Sequence, residues 1–267
     1  MRKGLFLTLL CVPLLGVAQM INTPASRQEK ELVGDVKSYT ERVYDVFNGN
    51  VQQKRLSTTN GYDFDDSGKV LMNFMQYGGM ELRYEYSYND LGKMLEVKTF
   101  RGRNGVELYE KGVYEYDDKG RMIKYSVLVT GVATPVQTYV FSKWDAAGNA
   151  VEGELTTSRD KVKVYQEFDK EGRRTLLRMI TEGNEAAQMR LSLRYDREGR
   201  VVERTMVEGV TSPDVLKYKY DKKGVCVGVN NQRFEHIFDK QGNWVLRKTY
   251  IDSKIVGITE RKITYFR

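Results

Sequence analysis

The segment Tyr116-Asp117-Asp118-Lys119-Gly120-Arg121 is one copy of the motif that decides the fold of this chain. The motif is an aromatic residue followed by Asp or Asn, two variable residues and Gly, and it occurs eight times at intervals of 18 to 28 residues. A repeat of this length indicates a protein built from similar supersecondary units. The Asp or Asn and the Gly of the eight copies are Asp65 and Gly68, Asn89 and Gly92, Asp117 and Gly120, Asp145 and Gly148, Asp169 and Gly172, Asp196 and Gly199, Asp221 and Gly224, and Asp239 and Gly242.

The residues around each motif predict a β-hairpin. Before the turn, Leu82, Tyr84 and Tyr86 face one way and the intervening polar residues face the other, and a period of two is typical of a half-buried strand. The Asp side chain can bond backbone groups two residues on, and Gly tolerates the positive φ of a type I turn followed by a bulge. These sixteen residues are therefore interpreted as structural turn residues. We expect the residue three positions after each Gly to pair across the hairpin near the turn aromatic.

The repeats predict an all-β fold, an antiparallel meander of β-hairpin repeats. Two strands per repeat, a first strand near residues 36–46 and a last strand at 258–266 give roughly eighteen strands. A sheet of more than about ten strands normally curls, splits or closes. We therefore expect an elongated twisted sheet or a barrel-like roll with its aromatic face inside. A flat single-layer sheet, wetted on both faces, is the alternative.

The N-terminus has the features of a secretory signal peptide. Arg2 and Lys3 precede an apolar run of residues 5–17, which ends at small residues. Residues 1–19 are predicted to be the signal peptide, residues 20–34 a linker or cap, and residues 35–267 a single repeat domain. Cys11 follows two leucines rather than a small residue, so a lipoprotein anchor is disfavoured. The predicted location is the periplasm, the cell surface or the extracellular space.

The charge pattern disfavours a nucleic-acid partner. The formal charge is +7, and removal of Arg2 and Lys3 would leave +5. Basic residues alternate with Glu along the strands or follow the turn Gly, which is typical of a solvated face, so no nucleic-acid partner is predicted. No second long apolar run follows the N-terminal one, and the mature chain is expected not to span a membrane.

The repeated aromatic-Asp-x-x-Gly-Lys/Arg unit resembles the tyrosine-aspartate (YD) repeats of the RHS family. The clearest matches are residues 116–121 and 195–200, and the resemblance covers about residues 55–250. It implies a wound sheet of hairpins, which in full-size RHS proteins forms a shell that can enclose a toxin. This chain has far fewer repeats and no effector domain, so the shell role is not transferred. It resembles the short, secreted RHS-like proteins of bacterial envelopes.

The sequence offers few residues for catalysis. His236 is the single histidine, Cys226 is the single cysteine after residue 19, and no Gly-x-Ser-x-Gly motif is present. One histidine and one cysteine do not make a usual zinc site, and one carboxylate per turn supplies too few oxygens for calcium. No catalytic residue, metal or cofactor is predicted. Trp144, Trp244 and His236 are weak ligand-binding candidates, and packing within the sheet is the favoured interpretation of all three.

The resulting hypothesis is an exported, non-enzymatic repeat scaffold of the bacterial cell envelope, either structural or binding a glycan, a peptide or another envelope protein. One alternative is a carboxylate-dependent hydrolase on a curled sheet. It requires the residues that depart from the repeat, which are Ser142, Trp144, Gln166 and His236, to converge on one cleft. The other alternative is an accessory or immunity protein of a larger secreted partner.

Overall fold

A computed structural model describes residues 30–267, and every regular element among them is a β-strand. The predicted signal peptide and residues 20–29 of the predicted linker lie outside the described residues. The strands are β1 (Val36–Phe47), β2 (Asn50–Phe64), β3 (Val70–Tyr77), β4 (Met80–Tyr88), β5 (Met94–Gly102), β6 (Glu107–Tyr116), β7 (Met122–Val129), β8 (Gln137–Trp144), β9 (Ala150–Thr157), β10 (Lys161–Phe168), β11 (Arg174–Thr181), β12 (Asn184–Tyr195), β13 (Val201–Glu208), β14 (Asp214–Tyr220), β15 (Cys226–Val229), β16 (Gln232–Phe238), β17 (Trp244–Ile251) and β18 (Lys254–Tyr265).

The eighteen strands form one antiparallel meander that closes on itself. Each strand pairs with the next along the chain, and β1 also pairs with β18, from Val36 opposite Tyr265 to Asp45 opposite Gly257. The predicted all-β hairpin meander is confirmed, and closure into a barrel decides between the curled and the flat alternatives. Within residues 30–267 no helix is long and apolar enough to cross a membrane.

The eight turns share one geometry, which the turn at Asp169 illustrates. The N–H of Gly172 donates to the carbonyl oxygen of Asp169 at 2.9 Å, and the N–H of Asp169 donates to the carbonyl oxygen of Arg173 at 2.9 Å. Oδ1 of Asp169 accepts the N–H groups of Glu171 at 3.1 Å and Arg173 at 2.9 Å. Gly172 has a φ of 76°, a value that residues with a Cβ rarely adopt. The Asp side chain therefore caps the turn that the Gly makes possible.

The residue that faces the turn aromatic differs from the one expected. Phe64 lies opposite Val70, and in all eight hairpins the partner is two positions after the Gly, not three. The N–H of Asp65 bonds the carbonyl oxygen of Lys69, which is one position after the Gly. The residue before Asp65, which is the turn aromatic, therefore faces the residue two positions after the Gly. The prediction of pairing at the third position was wrong, because the bulge shifts the register by one residue. Leu71, at that position, is accordingly 43% exposed.

The two faces of the sheet differ in chemistry. The inward face carries the packed aromatic side chains, among which Tyr39, Tyr125 and Tyr139 are each at most 2% exposed. The outward face carries cross-strand ion pairs, such as that of Lys124 with Glu115 at 2.8 Å. This alternation follows from the period of two along each strand.

Antiparallel order places two kinds of connection at opposite ends of the barrel. We call the end with the eight turns capped by Asp or Asn the turn rim; β1 begins and β18 ends there. We call the opposite end the loop rim, and it holds the connections between repeats, which vary in length. Function can therefore be examined separately at the turn rim, the inward face and the loop rim.

Candidate functional site

Five of the turn aromatics link their repeat to the one before it. The Tyr195 hydroxyl donates to the carbonyl oxygen of Arg174 at 2.9 Å, and Arg174 lies two positions after the preceding turn Gly. The indole N–H of Trp144 donates to the carbonyl oxygen of Met122 at 3.2 Å in the same way. The other members of this ladder are Tyr88 to Val70, Tyr116 to Met94 and Tyr220 to Val201. These polar groups are used in structural contacts between repeats.

The basic residue after the turn Gly makes a second link between repeats. The guanidinium of Arg200 forms an ion pair with Asp196 at 2.6 Å and lies 4.8 Å from the ring centre of Tyr220 in the next repeat. Burial by itself raises the pKa of Asp196, but hydrogen bonds from the Arg200 backbone and side chain outweigh it and hold the pKa below its usual value. A carboxylate held ionised in a turn is poorly suited to general-acid catalysis.

Gln166 makes the hydrogen bond to the preceding repeat where the turn aromatic of its own repeat has no hydroxyl. The turn aromatic of that repeat is Phe168, which has no hydroxyl to donate. The side-chain Nε2 of Gln166 donates instead to the carbonyl oxygen of Ala150 at 2.9 Å, and Ala150 occupies the acceptor position of the ladder. The departure at Gln166 therefore has a structural explanation.

The last link is made by residues that precede β1. The turn aromatic of the last repeat is Phe238, which also lacks a hydroxyl. The carboxylate of Glu31 bridges this repeat and the preceding one by accepting the Cys226 N–H at 2.7 Å and the Trp244 indole N–H at 2.9 Å. The N–H of Val33 donates to Asn243 Oδ1 at 2.7 Å. Residues 30–34, the described part of the predicted linker or cap, thus lie on the turn rim.

His236 and Trp244 come together on the inward face of β16–β18. The His236 and Trp244 ring centres are 5.6 Å apart, and Trp244 is 1% exposed. The guanidinium carbons of Arg261 and Arg247 lie 3.3 Å and 5.0 Å from the Trp244 ring centre. Arg261 also forms an ion pair with Glu41 at 2.7 Å, with side chains that are 5% and 17% exposed. This cluster joins the last strands of the barrel to the first.

The electrostatics of the cluster favour packing over acid–base chemistry. Burial lowers the pKa of His236, and the neighbouring charge of Arg247 lowers it further, so the imidazole is neutral near pH 7. Burial by itself raises the pKa of Glu41, but the charges of Arg261 and Arg247 outweigh it and keep the pKa below its usual value. The rings around His236 are those of Phe234, Phe238 and Trp244, none of which is a nucleophile.

The residues required by the hydrolase hypothesis do not all converge on one cleft. Ser142 and Trp144 lie on β8, Gln166 on β10 and His236 on β16. Ser142 Oγ contacts the carbonyl oxygen of Glu152 at 3.5 Å, whereas His236 packs among aromatic rings. In the described part of the chain, no group of three or more His, Cys, Asp or Glu side chains is placed to hold a metal ion.

The two tryptophans are covered on at least one ring face. The guanidinium carbon of Arg121 lies 4.4 Å from the centre of the Trp144 ring, whose indole N–H is already bonded. Trp244 is almost fully buried and lies against Arg261. Sugar stacking needs an open aromatic face, which Trp244 does not offer. Both side chains fill positions in the packed sheet.

Reasoning from the sequence missed a feature of the loop rim. β2 pairs with β3 only from Thr59 onward, so residues 50–58 of β2 extend past the β3–β4 hairpin. A depression of about 410 Å³ lies in the resulting notch. The long interval between residue 36 and the first turn motif was the available signal, because two ordinary strands would not fill it.

Several solved structures are distantly similar to this chain. A porin-like protein from Bacteroides uniformis aligns with 87% of this chain and 99% of its own, at 8% identity and a TM-score of 0.45. A porin-like protein from Bacteroides vulgatus aligns with 86% of this chain and 98% of its own, at 11% identity and a TM-score of 0.31. The Photorhabdus luminescens Tc holotoxin pore aligns with 80% of this chain and 14% of its own, at 12% identity and a TM-score of 0.34. No protein-family model and no curated protein matches the chain. At these TM-scores the likenesses carry no argument about function.

Proposed function

We propose that this chain is an exported, non-enzymatic repeat scaffold of the bacterial cell envelope that binds a glycan, a peptide or another envelope protein through its loop rim. The proposal rests on one contrast between the two ends of the barrel. At the turn rim, the polar and aromatic residues of the repeat are used in contacts between repeats. At the loop rim, exposed apolar side chains come from three consecutive hairpin ends, whereas the most exposed apolar side chain of the turn rim, Leu91, belongs to a single turn.

Seven of the exposed apolar residues of the loop rim lie on three consecutive hairpin ends. Tyr77 and Met80, at the β3–β4 hairpin, are 58% and 54% exposed, and Val106, before β6, is 67% exposed. The other members are Phe47, Val51, Leu56 and Leu108. Neighbouring exposed apolar side chains on a soluble surface mark sites of interaction with other molecules. The loop rim between β1 and β6 is therefore the proposed binding surface.

The outward wall supports a scaffold that is surrounded by water. Lys98 lies 3.3 Å from Glu96, and Arg83 lies 3.3 Å from Glu85, both pairs within strands rather than at their ends. Charged side chains at mid-strand are costly against lipid. The N-terminal signal peptide predicted from the sequence supports export, and the eight turns capped by Asp or Asn support a relationship to RHS-type YD repeats.

Site-specific photocrosslinking tests the proposed function. A photoreactive amino acid is placed at Tyr77 on the loop rim and, as a matched control, at Leu91 on the turn rim, which is 80% exposed. Each purified variant is incubated with an envelope extract and irradiated, and the unmodified chain is applied to a glycan array. We expect a discrete crosslinked species with the Tyr77 variant and not with the Leu91 variant, or saturable glycan binding by the unmodified chain. No crosslink at Tyr77 together with no glycan binding would contradict the proposal.

A further inference from the structure

One stretch of strand edge is left open at the loop rim. Residues 54–58 of β2 pair with β1, from Val46 opposite Lys54 to Val43 opposite Thr58, and within residues 30–267 no strand pairs with their other edge. Five residues of strand span roughly 17 Å. An open edge presents unpaired backbone N–H and C=O groups, which an added strand can satisfy.

The notch beside this edge has the shape and chemistry of a strand site. Its floor is formed by Leu56 and Thr59 of β2 and its end by Tyr77 and Met80 of the β3–β4 hairpin. Arg103 is the single charged residue that lines it, and Arg103 forms no ion pair with any described residue. A strand continuing the line of β3 would place side chains beside these apolar groups and one near Arg103.

We propose that residues 54–58 of β2 bind an extended segment of a partner protein by β-strand addition, with an acidic side chain of that segment beside Arg103. The proposal rests on the proposed binding role of the loop rim and names the class of partner. Backbone pairing supplies affinity, and alternate side chains of the guest reach Leu56 and Tyr77. The unpaired charge of Arg103 selects for a carboxylate.

A second copy of this chain fits the same edge poorly. Antiparallel self-pairing of residues 54–58 would place Lys54 and Arg55 of one copy opposite Thr58 and Ser57 of the other, so neither basic residue would face a carboxylate. The Arg55 side chain is 73% exposed, and its nearest carboxylate, that of Asp45, is 3.8 Å away. A lysine on an exposed strand edge suppresses pairing with another edge. A β-bulge has the same effect, and the β1–β2 pairing has one between positions Val43 and Tyr44 of β1.

Peptide binding to the purified full chain tests the proposal. The probe is a fluorescent octapeptide of alternating Val and Glu, and its Val and Lys counterpart is the charge control. We expect the Glu peptide to bind at least tenfold more tightly than the Lys peptide. Arg103→Glu should weaken binding of the Glu peptide at least tenfold. The matched change Arg197→Glu, on an exposed turn residue, should leave it unchanged.

Hydrogen–deuterium exchange distinguishes strand addition from side-chain contact alone. Saturating Glu peptide should slow exchange of several backbone amides in residues 54–58 and leave the turn rim unchanged. No binding of the Glu peptide, equal binding of the two peptides, or binding without protection of residues 54–58 would overturn the inference. Concentration-dependent dimerisation that protects the same amides without peptide would also overturn it. If the Tyr77 crosslink forms while these tests fail, the rim binds partners in another way and the proposed function stands.

Discussion

The ion pair between Glu41 and Arg261 is expected to be a major determinant of barrel stability. It connects β1 to β18 at 2.7 Å, and the two side chains are 17% and 5% exposed. Arg261→Met removes the guanidinium and leaves a buried carboxylate, which typically costs 3–5 kcal/mol. Because the charge of Arg247 still acts on Glu41, we expect the lower end of that range, about 3 kcal/mol.

An exposed pair of equal length provides the control. Lys54 and Glu260 also lie 2.7 Å apart, but their side chains are 34% and 39% exposed. Exposed pairs contribute roughly 0–1 kcal/mol, so Lys54→Met should shift the urea unfolding midpoint far less than Arg261→Met. Tryptophan fluorescence reports both transitions, since Trp244 lies against Arg261.

The effect of Arg261→Met should depend on pH. In the native protein the pKa of Glu41 is held below its unfolded value, so its contribution to stability is present above that value and is lost as the pH falls through the folded pKa. Without Arg261, burial raises the pKa of Glu41, and its protonation in acid relieves the penalty. The difference in unfolding free energy should be largest near pH 7 and smaller near pH 4. Equal losses for Arg261→Met and Lys54→Met, or a loss independent of pH, would refute this reasoning.

Three further changes test the turn rim. Tyr195→Phe removes one ladder hydrogen bond and should lower the unfolding free energy by about 1 kcal/mol; an equal loss from Tyr77→Phe at the exposed loop rim would contradict a specific role. Gly172→Ala should cost about 1 kcal/mol. Its φ is 76° and no atom lies within 4 Å of the added Cβ, so an unchanged urea midpoint would argue against backbone strain. Glu31→Ala should speed hydrogen exchange at the Cys226 amide by roughly tenfold, and unchanged exchange would show that the N-terminal segment does not protect it.

The hairpins were predictable from the sequence because their determinants are local. Asp169 and Gly172 lie three residues apart, and the capping bonds of the Asp span four residues at most. Strand number and fold class followed from counting such turns. The pairing register was missed by one residue, because alternation alone does not show how the bulge shifts the opposite strand. The cross-strand partner of the turn aromatic Phe64 is therefore Val70 rather than Leu71.

Only part of the cluster around His236 and Trp244 could be predicted from the sequence. His236 was noticeable as the single histidine, at a repeat position usually held by Tyr, and Trp244 was noticeable as one of two tryptophans. The two side chains do lie together. Glu41 and Arg261 carry no motif, and they meet because β1 and β18 close the barrel. Contacts that depend on closure join residues 220 positions apart, which no periodicity predicts. The role of Gln166 likewise required the position of its acceptor in the neighbouring repeat.

Closure between the first and last strands also has a kinetic consequence. The ladder contacts join residues about twenty positions apart, whereas the β1–β18 contact of Glu41 with Arg261 joins residues 220 positions apart. The β1–β18 contacts can therefore form only after β18 has been synthesised. Ordering so long a loop is entropically expensive, and contacts between distant residues form slowly. A chain made from its N-terminus therefore holds β1 with one edge unpaired until residue 254 and beyond have emerged. During that interval the nascent protein is most exposed to aggregation, and a chaperone would be needed at the edge of β1 rather than at the hairpins that follow it.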